Sequence, residues 1–260
     1  MKHISVHPIK AFSDNYIWML LDEEKKVACV VDPGDAEPVF RELSERNILL
    51  DSILITHHHF DHTGGLQILK DKTNCRVYGP ISKQINGIDV TLKENDNITI
   101  FDSHFKILEI PGHTLDHIAY YHACERSPIL FCGDTLFAGG CGRVFEGTHE
   151  MMHDSLQKLS SLPDKTLVYC SHEYTEANLR FAKLVEPSNE DLICRYKNVV
   201  SRRRNKDITL PSSIEIEKKT NPFLRCDAVS LLKDIQKNRS LSNLEPKYVF
   251  SVVRSWKDTC

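Results

Sequence analysis

The sequence contains no C-x-x-C pair, and its nine cysteines are odd in number and scattered, which argues against a disulfide scaffold and for reduced thiols. No apolar run approaches the ~20 residues that a bilayer crossing needs, so no membrane span is expected. The first twenty residues lack a basic segment followed by an apolar one, since Pro8 and Asp14 interrupt it, and a cytoplasmic protein is expected. An excess of one charge is missing too. Lys and Arg number 33 against 36 Asp and Glu, a net charge of −3, which argues for no nucleic-acid partner. With 41% hydrophobic and 27% charged residues in 260, and no repeat or low-complexity stretch, collagen-like and disordered classes also fall away.

What charge there is divides unevenly. Residues 1–174 carry 16 Lys and Arg against 25 Asp and Glu, whereas 175–260 carry 17 against 11. Acidic residues that hold cations would account for the first part, and a basic second part suits an anionic small molecule.

Short β-branched segments that stop at Gly, Pro, Asp or His alternate with helical spacing, the pattern of α/β layering. Strands are expected at 27–31, 52–56, 105–110, 129–132 and 166–170. A helix is expected to open at Pro38, and another runs from Thr148 until Pro163 stops it. Beyond residue 174 the texture becomes helical: 175–185, a helix capped by Ser188, one around 227–237, and one opening at Pro246. The stretch 208–225, with Pro211 and Pro222, is expected to be a long surface connection. A boundary near 174 therefore separates 1–174 from 175–260.

Thirteen histidines are present, and four crowd into Thr56-His57-His58-His59-Phe60-Asp61-His62. His57 and His59, two apart at a strand end, point the same way and can share one metal ion. Asp61 and His62 fall where the chain turns towards a helix, so they can serve a second ion nearby. His58 and Phe60 then face elsewhere.

His113, Asp134 and His172 stand at the ends of other expected strands, where open α/β sheets place their sites. A count follows: His57, His59 and His113 for one ion, Asp61, His62 and His172 for the other, Asp134 between them. Two Lewis acids would bring the pKa of a bound water from about 15.7 towards about 7. Asp134 and Asp61 are thus the candidate catalytic carboxylates, Asp61 by orienting the attacking water. Nitrogen and carboxylate donors without thiolate suit zinc, iron or manganese, and two divalent ions, zinc first, are expected. His117 is assigned to orienting a ligand, Asp32 equally to that role or to its turn, and Cys141 to packing.

These motifs resemble the metallo-β-lactamase superfamily and, within it, the glyoxalase II (hydroxyacylglutathione hydrolase) family, nearly end to end. The likeness is carried by Ala11-Phe12-Ser13-Asp14-Asn15-Tyr16, Val31-Asp32-Pro33-Gly34, the Thr56–His62 motif, Pro111-Gly112-His113-Thr114 and Gly133-Asp134-Thr135-Leu136-Phe137. Gly140-Cys141-Gly142-Arg143, His172-Glu173-Tyr174-Thr175 and Arg254-x-x-Lys257-Asp258 extend it. The resemblance implies an αββα sandwich with a binuclear metal site and a smaller α-helical C-terminal domain for glutathione. It also implies hydrolysis of S-2-hydroxyacylglutathione thioesters, chiefly S-D-lactoylglutathione to glutathione and D-lactate, the second step of methylglyoxal detoxification.

Family contacts to glutathione map onto Arg143, Tyr174, Arg254 and Lys257. The last two are three apart on one helix and can face one carboxylate. Phe145 stands where some members have tyrosine, so a backbone contact is implied there. Asp116 departs from the usual glycine, and a local hydrogen bond or an outward orientation is expected for it. A monomer acting on a small molecule is expected. The competing readings are a glutathione persulfide dioxygenase using one iron and a non-catalytic metal-binding protein on the same scaffold.

Overall fold

Every residue from Asn15 to Asp22 is buried, as a strand covered on both faces must be. The structure, a computed structural model, describes residues 5–260. Residues 5–109 together with Asp116–Gly133 form one compact unit, and Ile110–Leu115 together with Asp134–Cys260 form another.

In the first unit, β1 (Ser5–Ala11), β2 (Asn15–Asp22), β3 (Val27–Val31), β4 (Leu49–Leu54), β5 (Arg76–Pro80) and β6 (Val90–Leu92) lie side by side in chain order. The first three pair antiparallel, and β3 to β6 run parallel. Crossovers between the parallel strands carry α1 (Ala36–Arg46), the short α2 (Phe60–Thr63) and α3 (Leu66–Thr73). Val39 and Leu43 of α1 and Leu66 and Leu69 of α3 bury against Ile17, Met19, Val30, Ile53 and Val77. Each such side chain contributes about 2 kcal/mol. A second, antiparallel sheet follows as β7 (Asn97–Ile100), β8 (Ser103–Glu109), β9 (Ile118–His122) and β10 (Ile129–Phe131).

The second unit contains the hairpin of β11 (Leu136–Phe137) and β12 (Gly140–Cys141), α4 (His149–Ser160), and β13 (Leu167–Tyr169). Then come α5 (Thr175–Val185), α6 (Glu190–Arg204), β14 (Ser212–Ser213), α7 (Ile214–Thr220), α8 (Val229–Asn238) and α9 (Pro246–Asp258). Leu179 and Ala182 of α5 pack on Leu192 and Val199 of α6. Thr148 caps α4 by accepting from the Met151 N–H, as the sequence leads one to expect.

Three expectations need correction. Asp35, not Pro38, begins α1, its carboxylate accepting from the Glu37 N–H. Asn189 rather than Ser188 caps α6, accepting from the Leu192 N–H. The stretch 208–225 is not a surface connection, because it forms β14, α7 and a 3-10 turn at Pro222–Leu224 and buries Ile214, Glu217, Asn221 and Phe223. Two of those buried residues are polar, so no apolar period marks the segment.

Candidate metal centre

In the first unit the donors stand where parallel strands end. β3 runs out into Asp32 and β4 into Ile55-Thr56-His57, and the Asp32 N–H donates to the Leu54 carbonyl (2.9 Å), tying the two ends together. Asp32 takes φ +53°, a left-handed conformation that aspartate tolerates better than most residues. Gly34 completes the turn because a Cβ there would lie 1.9 Å from the Asp61 carbonyl oxygen.

Buried Asp32 accepts from the Thr56 N–H and hydroxyl (both 2.7 Å) and from His62 Nδ1 (3.0 Å). The Thr56 oxygen, its proton so committed, accepts from His57 Nδ1 (3.0 Å). These bonds select the tautomer of both histidines and leave each Nε2 with a lone pair for a ligand. His57 Nε2 meets His59 Nδ1 at 3.2 Å, close enough to share one cation. His62 Nε2 lies 3.4 Å from Asp61 Oδ2, which Asn15 Nδ2 steadies at 2.9 Å.

His117 reaches His57 by its face, the rings stacked at 4.5 Å, while its Nδ1 donates to the Ile118 carbonyl. Its stacked ring fixes the plane of the His57 imidazole by packing. Asp116 makes the local bond expected of it, with His58 Nδ1 3.0 Å from both carboxylate oxygens. Phe60 is 75% exposed.

In the second unit, His113 Nδ1 donates to the Arg143 carbonyl (2.6 Å), again leaving Nε2 for a ligand. That Nε2 is 3.6 Å from Asp134 Oδ2, and His172 Nε2 is 3.3 Å from the same oxygen. Three segments far apart in sequence thus meet on one carboxylate. Both donor sets combine imidazoles and carboxylates, with the distal nitrogens of His57, His62 and His113 already donating, and fit divalent cations. The side-chain clusters include His57 with Asp32 and His62.

The candidate substrate residues are also in the second unit. Tyr174 stacks on His172 (4.7 Å) and keeps part of its surface open, and Phe145 stands over His113 with its ring exposed. The Arg143 side chain is 59% exposed, its Nε 3.5 Å from Asp258 Oδ1. Lys257 donates to Asn178 Oδ1, and burial, aided by the Arg254 charge, brings its pKa down to about 8. Arg254 differs from the others. Only 3% exposed, it donates through Nη1 to the Cys141 (3.0 Å) and Gly142 (3.4 Å) carbonyls and through Nη2 to Asp258 (3.0 Å). Burial pushes the Cys141 thiol up against the pull of Arg254, which keeps it protonated and unreactive. Asn15 and Thr56 lie within motifs but carry no sign there of the bonds they make, and Asn178, a single polar residue outside any motif, gives no signal at all.

All nine cysteines are unbridged, and no helix among the described residues is long and apolar enough to cross a membrane. Residues 14–172 match the model of the metallo-β-lactamase superfamily, and 173–260 match that of the hydroxyacylglutathione hydrolase C-terminus. A hydroxyacylglutathione hydrolase of Pseudomonas savastanoi pv. phaseolicola is 50% identical over 256 residues, covering 98% of this chain and 99% of its own. One from Ectopseudomonas mendocina is 51% identical with the same coverage. Among solved structures, ETHE1 from Myxococcus xanthus superposes with a TM-score of 0.65 at 25% identity, covering 99% of each chain. The strand-end donor sets, the α/β sheets and the basic helical C-terminal segment agree with these likenesses, and the chain belongs to the hydroxyacylglutathione hydrolase family of the metallo-β-lactamase superfamily.

Proposed function

We propose that the protein hydrolyses S-2-hydroxyacylglutathione thioesters, S-D-lactoylglutathione first among them, to glutathione and the free hydroxy acid. The observation that carries this reading is the pairing of imidazole and carboxylate donor sets with a C-terminal segment of the hydroxyacylglutathione hydrolase type over 173–260. That change of family model at 172/173 also supports a catalytic domain over 1–174 and a glutathione-binding domain over 175–260.

In this reading His57, His59 and His113 hold one divalent ion, Asp61, His62 and His172 another, and Asp134 is shared. Zinc is proposed first, with iron or manganese as alternatives. Bound there, the ions would supply Lewis acidity and a water acidic enough to ionise near neutral pH. The chain's own groups do the rest. Asp32 and Thr56 hold His57 and His62 in the ligating tautomer. Asp61, steadied by Asn15, orients the attacking water. Water adds to the acyl carbon, the carbon–sulfur bond breaks, and sulfur leaves as a thiolate, a leaving group good enough to need no general acid.

Glutathione carries two carboxylates, and in this reading Arg143 and Lys257 bind them, with Tyr174 and the backbone at Phe145 contributing further contacts. Arg254 is assigned to the same subsite, where it pairs with Asp258, the carboxylate that also faces Arg143. We read the working form as a cytoplasmic monomer, a setting that suits nine unbridged thiols.

The test is loss of thioester absorbance from S-D-lactoylglutathione with the metal-loaded protein, run beside oxygen uptake with glutathione persulfide. Thioester loss that a chelator abolishes supports the hydrolase. Oxygen uptake without thioester loss would establish the dioxygenase, and neither activity in a metal-loaded protein would leave a binding scaffold.

A further inference from the structure

The segment between Asp134 and Arg143 is held by buried polar groups from the helical part of its own unit, far beyond what a surface hairpin requires. Glu217 on α7 is fully buried, and its Oε2 accepts from the Gly139 N–H (2.8 Å) and from Asn221 Nδ2 (3.0 Å). Its other oxygen takes Arg195 Nη2 (2.6 Å) and the Ser212 hydroxyl, so the carboxylate is completely engaged. Asn221, equally buried, donates through Nδ2 to the carbonyls of Gly140 (2.9 Å) and Phe137 (3.3 Å). Asn178 donates to the Ala138 carbonyl (3.1 Å), and Arg254 takes the carbonyls of Cys141 and Gly142. Six consecutive residues, 137–142, thus each give a backbone group to one of four distant side chains.

This hairpin bears directly on the metal donors. A Cβ on Gly142 would lie 1.9 Å from the Asp134 carbonyl oxygen and 3.1 Å from His113 Nδ1, and the Gly142 N–H donates to the Thr135 carbonyl (3.1 Å). The backbone of Gly142 therefore packs against that of Asp134 with no slack. A shift of the hairpin must move the backbone that aims the Asp134 carboxylate at His113 and His172, and close-packed interiors pass such shifts on rather than absorb them.

We propose that Glu217, Asn221 and Arg254 are positioning residues: together they set the 136–142 hairpin and, through its contact with Asp134, the aim of the metal-bridging carboxylate. The inference rests on the reading of Asp134 as a metal ligand, and not on the identity of the thioester.

The experiment measures how tightly the zinc-loaded full-length protein holds its ions against a chromogenic chelator, without substrate and well below the unfolding temperature. A residue that only binds glutathione leaves that quantity unchanged, as does one that only adds global stability to a protein that remains folded. In Asn221→Ala and Arg254→Ala, metal affinity is expected to fall about 10–100-fold, the range for groups that orient ligands, with kcat falling alongside. Arg254→Lys, which keeps one donor for the Cys141 carbonyl, should recover much of the loss. Should Asn221→Ala not unfold cooperatively, Asn221→Ser retains one donor and carries the same readout. Metal retention within twofold of the parent in any folded variant overturns the proposal, and for Arg254→Ala a rise in KM alone would return that residue to the substrate. A protein that binds its ions normally yet leaves acylglutathiones intact would sink the hydrolase reading while leaving this one standing.

Discussion

The two units prepare their histidines by the same chemistry and opposite logistics. In the first, four donors lie within six residues, and one buried aspartate and one threonine at the ends of adjacent parallel strands orient two of them. In the second, His113, Asp134 and His172 come from three segments, and His113 is oriented by a main-chain carbonyl, that of Arg143. A compact donor set is positioned by its own strand ends. A dispersed one depends on everything that holds its loops, which here reaches to Asn221 and Arg254.

That contrast can be broken most forcefully at the shared carboxylate. Asp134→Ala is expected to abolish turnover and lower bound metal, measured by thioester hydrolysis and metal analysis. Turnover with both ions retained would remove Asp134 from its bridging role.

In the compact set, Asp32→Ala strips the partner from two buried donors of Thr56 and from His62. It should cost about 3 kcal/mol in chemical denaturation and lower metal affinity about 10–100-fold in a chelator titration. Equal metal affinity would mean that strand geometry alone aims His62.

Lys257 sharpens the comparison on the dispersed side through pH. With its pKa lowered to about 8, the amine is charged below that value and neutral above it. KM for the acylglutathione should therefore be flat up to pH 8 and rise beyond it, towards about tenfold once the charge-assisted bond is lost. Lys257→Ala should give a high KM with no such rise, and a persisting rise would assign the titration elsewhere.

The smallest effect is expected at Asp116→Gly, which removes the contact with His58. About 1 kcal/mol of stability should go, with steady-state kcat changed by less than roughly threefold.

Legibility followed the same division. The Thr56–His62 motif was readable because its donors are contiguous and its geometry follows from a strand end, and α5 and α9 because they carry helical spacing with clear starts. The segment 208–225 departs from the expected surface connection because Glu217 and Asn221, polar residues of the kind that usually stay solvated, are among its buried positions. The resemblance assigns Arg254 to glutathione, and nothing local reveals that its guanidinium also reaches Cys141, 113 positions earlier.

By itself, then, the amino-acid order determined which donor chemistry is present, where strands deliver it and which segments are helical, because propensity, period and spacing act over a few residues. Only the tertiary structure decided which nitrogen of His57, His62 and His113 is left for a ligand and which buried polar groups grip the hairpin at 136–142. Those choices are hydrogen bonds between groups remote in sequence, and a buried donor takes whatever acceptor the fold brings within reach.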